Sequence, residues 1–416
     1  MLTGPAGAGR LEPLSVVIPS YNRGQLLGET LELCRRFSKS LEIEFVVIDD
    51  GSSDDTAERL DRLSKQMPEL VWRSVPNAGP GAARNLGASL ARHDVVLFIG
   101  DDIRPVDANF FRVHAELHGR HADPDLAVLG KLVWPNRTDA RVNFVMSHVQ
   151  GRGGEQFGFA DLRPYSYLDW RFFYTSNISL RKSIVSDWLQ DGFSSAFGAA
   201  AYEDVEFAYR LSQRERPLRI FYTPASVGSH HHHFSVSDFM NRQQSAGMMA
   251  RVFYGIHPNR EVRDMIGLAE IVEALRSRRS SEQDRSISDL LAVIEGLKSW
   301  TRLIEDQMML GSQHWHDDLL TAVFELCYLE AYVSASSDPD ENLAGAYRYI
   351  LDRFSSRMTR VIHIELSDLM LSPTNLFSLG HGASPAGGPS RLRIWAAQKR
   401  VFRTPYLAIR RFLLGR

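Results

Sequence analysis

Adjacent carboxylates recur in this sequence at places where a chain can use them. Asp49-Asp50 closes the apolar run Val46-Val47-Ile48, and Asp101-Asp102 follows Leu97-Phe98-Ile99-Gly100. Glu203-Asp204 precedes Val205 and Glu206 at the start of a helical pattern. A single Asp after a strand is commonly a helix N-cap. Two side by side after an apolar strand repel each other unless a cation or hydrogen-bond donors hold them, which is the situation at a hard-metal site. Asp101-Asp102 is therefore a candidate cation site. Glu203-Asp204 opens a helix with Val205, Ala208 and Leu211 facing inward. The positive end of that helix is expected to keep a carboxylate ionised, the form a general base needs. The run His230-His231-His232-His233 follows an apparent strand, Ile220–Tyr222, and Pro224. Four consecutive side chains cannot all point one way, so at most two share a function. Cys34 and Cys327 lack ligand-spaced neighbours, which speaks against a zinc protein.

The elements that must position these groups follow from hydrophobic patterning. Strands are predicted at Leu14–Pro19, Ile43–Asp49, Leu70–Val75, Val95–Ile99 and Leu126–Val133. Between them lie helical stretches: one through Leu27, Leu31 and Cys34, one after Ser52-Ser53-Asp54, and one from Gly81 to Arg92. Alternating strands and helices mean a mainly parallel sheet covered on both faces. Such sheets bind ligands beyond the carboxyl ends of their strands, where the first two acidic pairs fall. The stretch 136–172 is expected to be a long loop, with helices near Arg181–Trp188 and Glu203–Leu211. Helical patterns dominate beyond Met240.

Composition sets the outer limits. With 416 residues, 44% hydrophobic and 24% charged, the chain has room for two globular domains and is not broadly disordered. Lys+Arg 48 against Asp+Glu 50 leaves a net charge of −2, so no basic excess argues for nucleic acid. The two cysteines are expected to be buried reduced thiols. No uncharged apolar run reaches the ~18–20 residues of a membrane span, and Met1–Glu12 lacks a signal-peptide pattern. The expected location is cytoplasmic.

Four segments, in order and spacing, carry a resemblance: Ser15-Val16-Val17-Ile18-Pro19-Ser20-Tyr21-Asn22, Val47-Ile48-Asp49-Asp50-Gly51-Ser52, Asn77-Ala78-Gly79-Pro80-Gly81-Ala82-Ala83-Arg84-Asn85, and Asp101-Asp102. Together they resemble the family 2 inverting glycosyltransferases. Tyr202-Glu203-Asp204-Val205-Glu206, followed by Pro224 and His230, resembles that family's acceptor-side motif and late metal ligand. The resemblance covers residues 14–245. It implies a GT-A fold, α/β with a Rossmann-like, mainly parallel sheet, followed by an α-helical C-terminal region. It also implies a nucleotide-sugar donor, a UDP-sugar first, and Mn²⁺ or Mg²⁺ as cofactor. The acceptor would be a glycan or a lipid-linked sugar in surface polysaccharide synthesis.

Carried over by position, Pro19 and Tyr21 would line the nucleobase slot. Asp50 would accept the imide N–H of uracil or thymine. Arg84 would lie near the ribose or diphosphate, and Asn177 would touch the donor sugar. Asp102 and His230 would bind the metal, with His232 the alternative on the same strand face. Asp101 would support the metal or touch the ribose. Asp204 would be the base, with Glu203 binding the acceptor or standing in as base. Gly100 stands where many members have an Asp, removing the carboxylate to which a ribose contact is usually attributed.

The expected organisation is a flexible tail at 1–13, the transferase domain at 14–245, a helical domain at 246–380, and a linker with a basic tail at 381–416. From Arg391 to Arg416 there are eight basic and no acidic residues, interleaved with Trp395, Phe402, Tyr406 and Phe412. That pattern reads as an amphipathic stretch for an anionic membrane surface, giving a peripheral location on the inner face. Partner binding or a plain solvated helix are the other readings of the tail. Two further functions stay open. A sugar nucleotidyltransferase would need a Gly-rich phosphate loop with a basic residue directly after the first strand, where Pro19-Ser20-Tyr21-Asn22 stands. A catalytically inactive GT-A-like binding protein would not need the intact carboxylates.

Overall fold

The computed structural model describes residues 10–135, 144–150, 159, 162–267, 295, 298 and 314–335. The basic tail, the linker and most of the helical region 246–380 lie outside the described residues. Two compact units are distinguished, Met1–Phe234 with Met248–Met265, and Ser235–Gly247 with Ile266–Arg416.

Among the described residues, the first unit is built on nine strands: β1 (Leu14–Ser20), β2 (Ile43–Asp49), β3 (Leu70–Ser74), β4 (Val95–Ile99), β5 (Ile103–Pro105), β6 (Leu126–Val133), β7 (Ser166–Leu168), β8 (Asn177–Arg181) and β9 (Arg219–His230). Their order is β3-β2-β1-β4-β8-β6-β9-β5, with β7 also paired to β9. β1 pairs parallel with β2 and β4, β2 with β3, and β6 with β9. β8 is antiparallel to both β4 and β6. The mainly parallel α/β sheet expected from the sequence is present. β2 and β4 are buried along their whole length, as strands covered on both faces must be, while β3 is a partly exposed edge.

Helices α1 (Gly24–Ser38), α2 (Thr56–Ser64), α3 (Pro80–Leu90), α4 (Asn109–Arg120) and α5 (Phe144–Gln150) follow in the first half. Then come α6 (Trp188–Asp191), α7 (Glu203–Ser212), α8 (Val236–Ile256), α9 (Arg260–Met265) and α10 (His314–Ser334). α1 buries Leu27, Thr30, Leu31 and Cys34, one helical stripe. α3 packs through small residues instead: a Cβ on Gly87 would clash with the Val17 side chain. This close seating on β1 carries Arg84 over the sheet's carboxyl edge. Pro80 at the first turn follows Gly79, whose φ of 89° suits only glycine at low cost.

Three expectations need correction. The helix predicted at Arg181–Trp188 does not form. Arg181 ends β8 opposite Val95, Lys182–Ile184 is a 3₁₀ turn, and the helix begins at Trp188. Part of the stretch read as loop is ordered, as α5, β7 and a 3₁₀ turn at Trp170–Phe172. The strand at Ile220–Tyr222 runs on to His230, with a register shift in its pairing with β6: Thr223 faces Gly130, but Val227 faces Lys131. Pro224 lies in that bulge, where a missing N–H costs no ladder bond. Cys34 and Cys327 are buried and unbridged, as expected.

In the second unit, Phe239 of α8 meets Phe324 of α10 at 4.5 Å between ring centroids. Tyr328 Oη–H donates to the Ile266 carbonyl at 2.9 Å. Among the described residues, no helix is long and apolar enough to cross a membrane.

Candidate active site

β1 and β2 end level, with Ser20 opposite Asp49, so the loops after them leave the sheet side by side. Asn22 ties them together. At φ 54° it occupies the left-handed region, which Asn tolerates better than most residues. Its Oδ1 accepts from the Ser53 N–H at 2.7 Å, and its own N–H donates to Ser52 Oγ at 2.8 Å. Asp50 reaches the loop after β3, accepting from the N–H groups of Ala78 at 2.8 Å and Gly79 at 3.0 Å. Burial lifts its pKa above the usual carboxylate value against the pull of those two donors. Tyr21, next to Asn22 in sequence, is 50% exposed, and Pro19 is half-buried near the end of β1.

The Asp101-Asp102 pair sits just past β4. The Thr30 hydroxyl of α1 donates to the Asp101 carbonyl at 2.8 Å, pinning the turn from below. Asp101 accepts from Ser20 Oγ at 2.8 Å and from Arg23 Nη1 at 3.0 Å. The pairing of Ile103 with His230 brings the end of β9 alongside. Asp102 Oδ2 consequently meets Arg23 Nη1 at 2.9 Å, His232 Nδ1 at 2.8 Å and His230 Nε2 at 3.3 Å. Arg23 Nη2 lies 3.3 Å from His232 Nε2. A guanidinium only donates, so Nε2 is the acceptor and Nδ1 carries the proton given to Asp102. The His230 ring packs on Trp134 at 4.5 Å, and the His232 ring stacks on Phe234 at 3.7 Å. His231 and His233 line a cavity of about 580 Å³ with Asn22, Arg59 and Arg104.

These neighbours set the charges. Burial would raise Asp102, but His230, His232 and Arg23 outweigh it and hold its carboxyl well below the usual range. Asp101 is pushed up to about 6 by burial and the Asp102 charge, against Arg23. Burial takes His232 down to about 4. One carboxylate and two imidazoles, with ligand atoms within 4.8 Å of one another, are a donor set suited to a first-row divalent ion. Gly100 belongs to this geometry: a Cβ there would lie 2.6 Å from Asp102 Oδ1.

Glu203 and Asp204 open α7 directly after Tyr202, a non-glycine residue held at φ 62°. Glu203 is buried, and its Oε1 accepts from Arg84 Nη1 at 2.7 Å. The Arg84 guanidinium also lies over the Phe193 ring at 5.8 Å. Asp204 is only partly covered and has weak partners, the Thr175 N–H at 3.4 Å and hydroxyl at 3.5 Å, besides the adjacent Val205 N–H at 2.8 Å. Burial and the neighbouring Glu203 push Asp204 up to about 7, despite Arg84. The expectation that the helix end simply keeps this carboxylate ionised is therefore corrected.

The sequence-predicted residues fall into connected groups. Asp101, Asp102 and His230 converge, and Arg84 joins Glu203 and Asp204. Asp50 braces the start of α3, the helix that carries Arg84. Arg84 is nearly buried against Glu203. Asn177 is 0% exposed, and its amide is engaged by His114 Nε2 at 3.0 Å and Ser226 Oγ at 3.3 Å. Its side chain is turned into the interior, apart from the Asp101-Asp102 and Glu203-Asp204 groups in its hydrogen bonding. Arg23, Ser20 and Trp134 were not anticipated. Arg23 had one readable signal, a cation directly after Pro19–Asn22 in a loop that faces an acidic pair.

Residues 15–141 match the sequence profile described as Glycosyl transferase family 2. Those residues are a family 2 glycosyltransferase domain. They include Pro19, Asp50, Arg84 and Asp101-Asp102, while Glu203-Asp204 and His230 lie beyond the matched stretch. The glycosyltransferase domain has named relatives of partial overlap. Validoxylamine A glucosyltransferase of Streptomyces hygroscopicus subsp. jinggangensis is 28% identical over 261 residues, 57% of this chain and 60% of that protein. Hyaluronan synthase of Pasteurella multocida is 26% identical over 225 residues, covering 48% of this chain and 22% of the relative. Poly(ribitol-phosphate) beta-glucosyltransferase of Bacillus spizizenii is 33% identical over 92 residues, 21% of this chain and 14% of that one. The chain thus spans less than two thirds of the length of these relatives. Among solved structures, a mannosyltransferase from Pyrobaculum calidifontis in complex with GDP-Man and Mn²⁺ aligns with a TM-score of 0.47 at 16% identity, over 79% of this chain and 88% of that one.

Proposed function

We propose that the chain is a metal-dependent inverting glycosyltransferase that moves a sugar from a nucleotide-sugar to a hydroxyl of a glycan or lipid-linked acceptor, with catalysis in residues 14–245. The observation that carries this reading is the division of labour within Glu203-Asp204. Arg84 balances Glu203, while burial and the Glu203 charge push the neighbouring Asp204 up to about 7. A base poised near the working pH removes the acceptor proton most effectively. An inverting transfer is one displacement at the anomeric carbon, so this single base suffices and no covalent partner is required.

On the donor side, Pro19 and Tyr21 would frame the nucleobase, with the exposed Tyr21 ring as an aromatic wall. Asp50 has spare lone pairs beyond its two backbone donors and would take the imide N–H of a uracil. Asp102, His230 and His232 would hold Mn²⁺ or Mg²⁺, which when bound neutralises charge on the leaving nucleoside diphosphate. Ser20 and Arg23 fix Asp101 beside it. Two of the named relatives are glucosyltransferases, which supports testing UDP-glucose first and a surface polysaccharide as the acceptor class. Residues 391–416 would bring the enzyme to an anionic bilayer from the cytoplasmic side.

The test is release of nucleotide from a panel of UDP- and GDP-sugars, with and without Mn²⁺, followed by the anomeric configuration of the product. Metal-dependent release from one donor with inverted product is expected. Retention of configuration, or no donor turned over with any acceptor, would remove this reading.

A further inference from the structure

Arg23 is oddly placed for a residue beside a metal site. Its Nη1 lies 2.9 Å from Asp102 Oδ2, the oxygen shared by His230 and His232, and 3.0 Å from Asp101 Oδ1. Its Nη2 lies 3.3 Å from His232 Nε2. One guanidinium thus engages two of the three candidate ligands, Asp102 and His232, and fixes His232 with its Nδ1 proton directed at Asp102. The side chain is about one-third exposed, 35%, and borders the 580 Å³ cavity, so space for withdrawal exists next to it.

We infer that Arg23 is a resident cation that neutralises the acidic cluster in the absence of metal and competes with a divalent ion for Asp102 and His232. Two adjacent buried carboxylates need a counter-charge to persist, and a bridging guanidinium supplies it with directed hydrogen bonds. A metal ion then enters by exchange. Its arrival releases the guanidinium toward the cavity and frees the His232 ring from the tautomer that Arg23 imposes. The site is thereby kept assembled when empty, at the cost of affinity for the ion alone. This inference rests on the metal reading of Asp102, His230 and His232.

The experiment is titration of the full chain with Mn²⁺ alone, without nucleotide, reading free Mn²⁺ by electron paramagnetic resonance. Arg23→Met removes the charge and the donors, and Arg23→Lys keeps the charge but cannot bridge Asp102 and His232 together. Both should bind Mn²⁺ about fivefold or more tighter than wild type, with the methionine variant tighter still, a coupling of ordinary size between two competing occupants. Arg23→Met should also melt lower than wild type in EDTA and regain more of its melting temperature when Mn²⁺ is added. Asp102→Asn should lose the binding. Equal or weaker Mn²⁺ binding by Arg23→Lys, with Asp102→Asn still defective, overturns the role of Arg23 and leaves the metal site standing. Wild-type Mn²⁺ binding by Asp102→Asn overturns both. Should Arg23→Met fail to fold, the lysine variant decides alone.

Discussion

Asp101-Asp102 and Glu203-Asp204 pose the same electrostatic problem at two places in one domain, and the chain solves it in opposite ways. At the first pair every carboxylate is met by a donor: Ser20 and Arg23 on Asp101, Arg23, His230 and His232 on Asp102. At the second, Arg84 meets Glu203 alone, and Asp204 has the adjacent Val205 N–H at 2.8 Å and long contacts to Thr175. Asp102 is consequently held well below the usual carboxylate range, while Asp204 is pushed up to about 7. Adjacent carboxyls are therefore not one kind of site. The cations around each carboxyl decide how readily it gives up its proton.

The sharpest break in this contrast is Asp204→Asn. It should lower kcat by ~10²–10⁴ while the donor KM stays close to wild type, as for loss of a general base. The wild-type rate should fall with decreasing pH below about 7 as Asp204 takes up its proton. Stability should move the other way. The folded chain retains this proton to about 7 and an unfolded Asp to only 3.8, so ionisation between those values weighs against the fold. Stability is lost as pH rises through that window, and Asp204→Asn should melt higher than wild type at pH 8, with the gap closing toward pH 4. An active Asp204→Asn beside a dead Glu203→Gln would sink the assignment within the pair.

At the other pair, Asp102→Asn or His230→Ala should weaken donor binding in Mn²⁺ by about tenfold or more, at least the cost of disturbing the groups around a bound metal. Binding in EDTA should change little, and equal loss in both conditions would mean the residues only support the fold. A smaller effect sharpens the comparison from within. Arg84→Gln removes the charge that balances Glu203 and lowers Asp204, so the acid limb of the pH–rate profile should move to higher pH. An unmoved limb would show that Arg84 acts elsewhere. The smallest change is expected from Gly100→Ala, whose Cβ would press on Asp102 Oδ1. Mn²⁺ affinity should drop a few-fold, with the acid limb unchanged.

Much of the domain was legible because its cues are local. The apolar runs at β1, β2, β4 and β6 fixed strands to within a residue of their observed ends, and a strand end is where Asp50 and Asp101-Asp102 had to fall. Arg23 was less visible, since its partners lie 78 and 79 residues away and only the parallel pairing of β1 with β4 unites them. The helix predicted at Arg181–Trp188 failed although Ile184, Val185 and Trp188 are buried at helical spacing: Arg181 is held in the sheet opposite Val95, Trp188 Nε1–H is bonded to the Lys182 carbonyl, and Asp187 caps a helix that starts only at Trp188. Asn177 was carried over from the family resemblance, which does not say which face of its strand is interior. Here the face is taken by a buried network in which Ser179 Oγ meets His114 at 2.7 Å and His118 at 2.9 Å. The Asp204 proton was hidden for a different reason: a helix start favours the anion, but the partner that opposes it, Glu203, counts only once Arg84 and burial are known.

The bulge in β9 gives the histidine run a further meaning. Between Gly130 and Lys131 the partner strand passes from Thr223 to Val227, taking up three extra residues, an odd number that reverses which side chains face which way beyond it. That parity is what turns His230 and His232 toward Asp102 and His231 and His233 toward the cavity. A strand that slips by one residue normally exchanges its whole set of facing side chains. Here a one-residue deletion in the bulge would present His231 and His233 in place of His230 and His232, imidazole for imidazole. The run of four makes the donor set tolerant of a single-residue deletion in the bulge, an error-correcting property written into the run rather than into any one ligand.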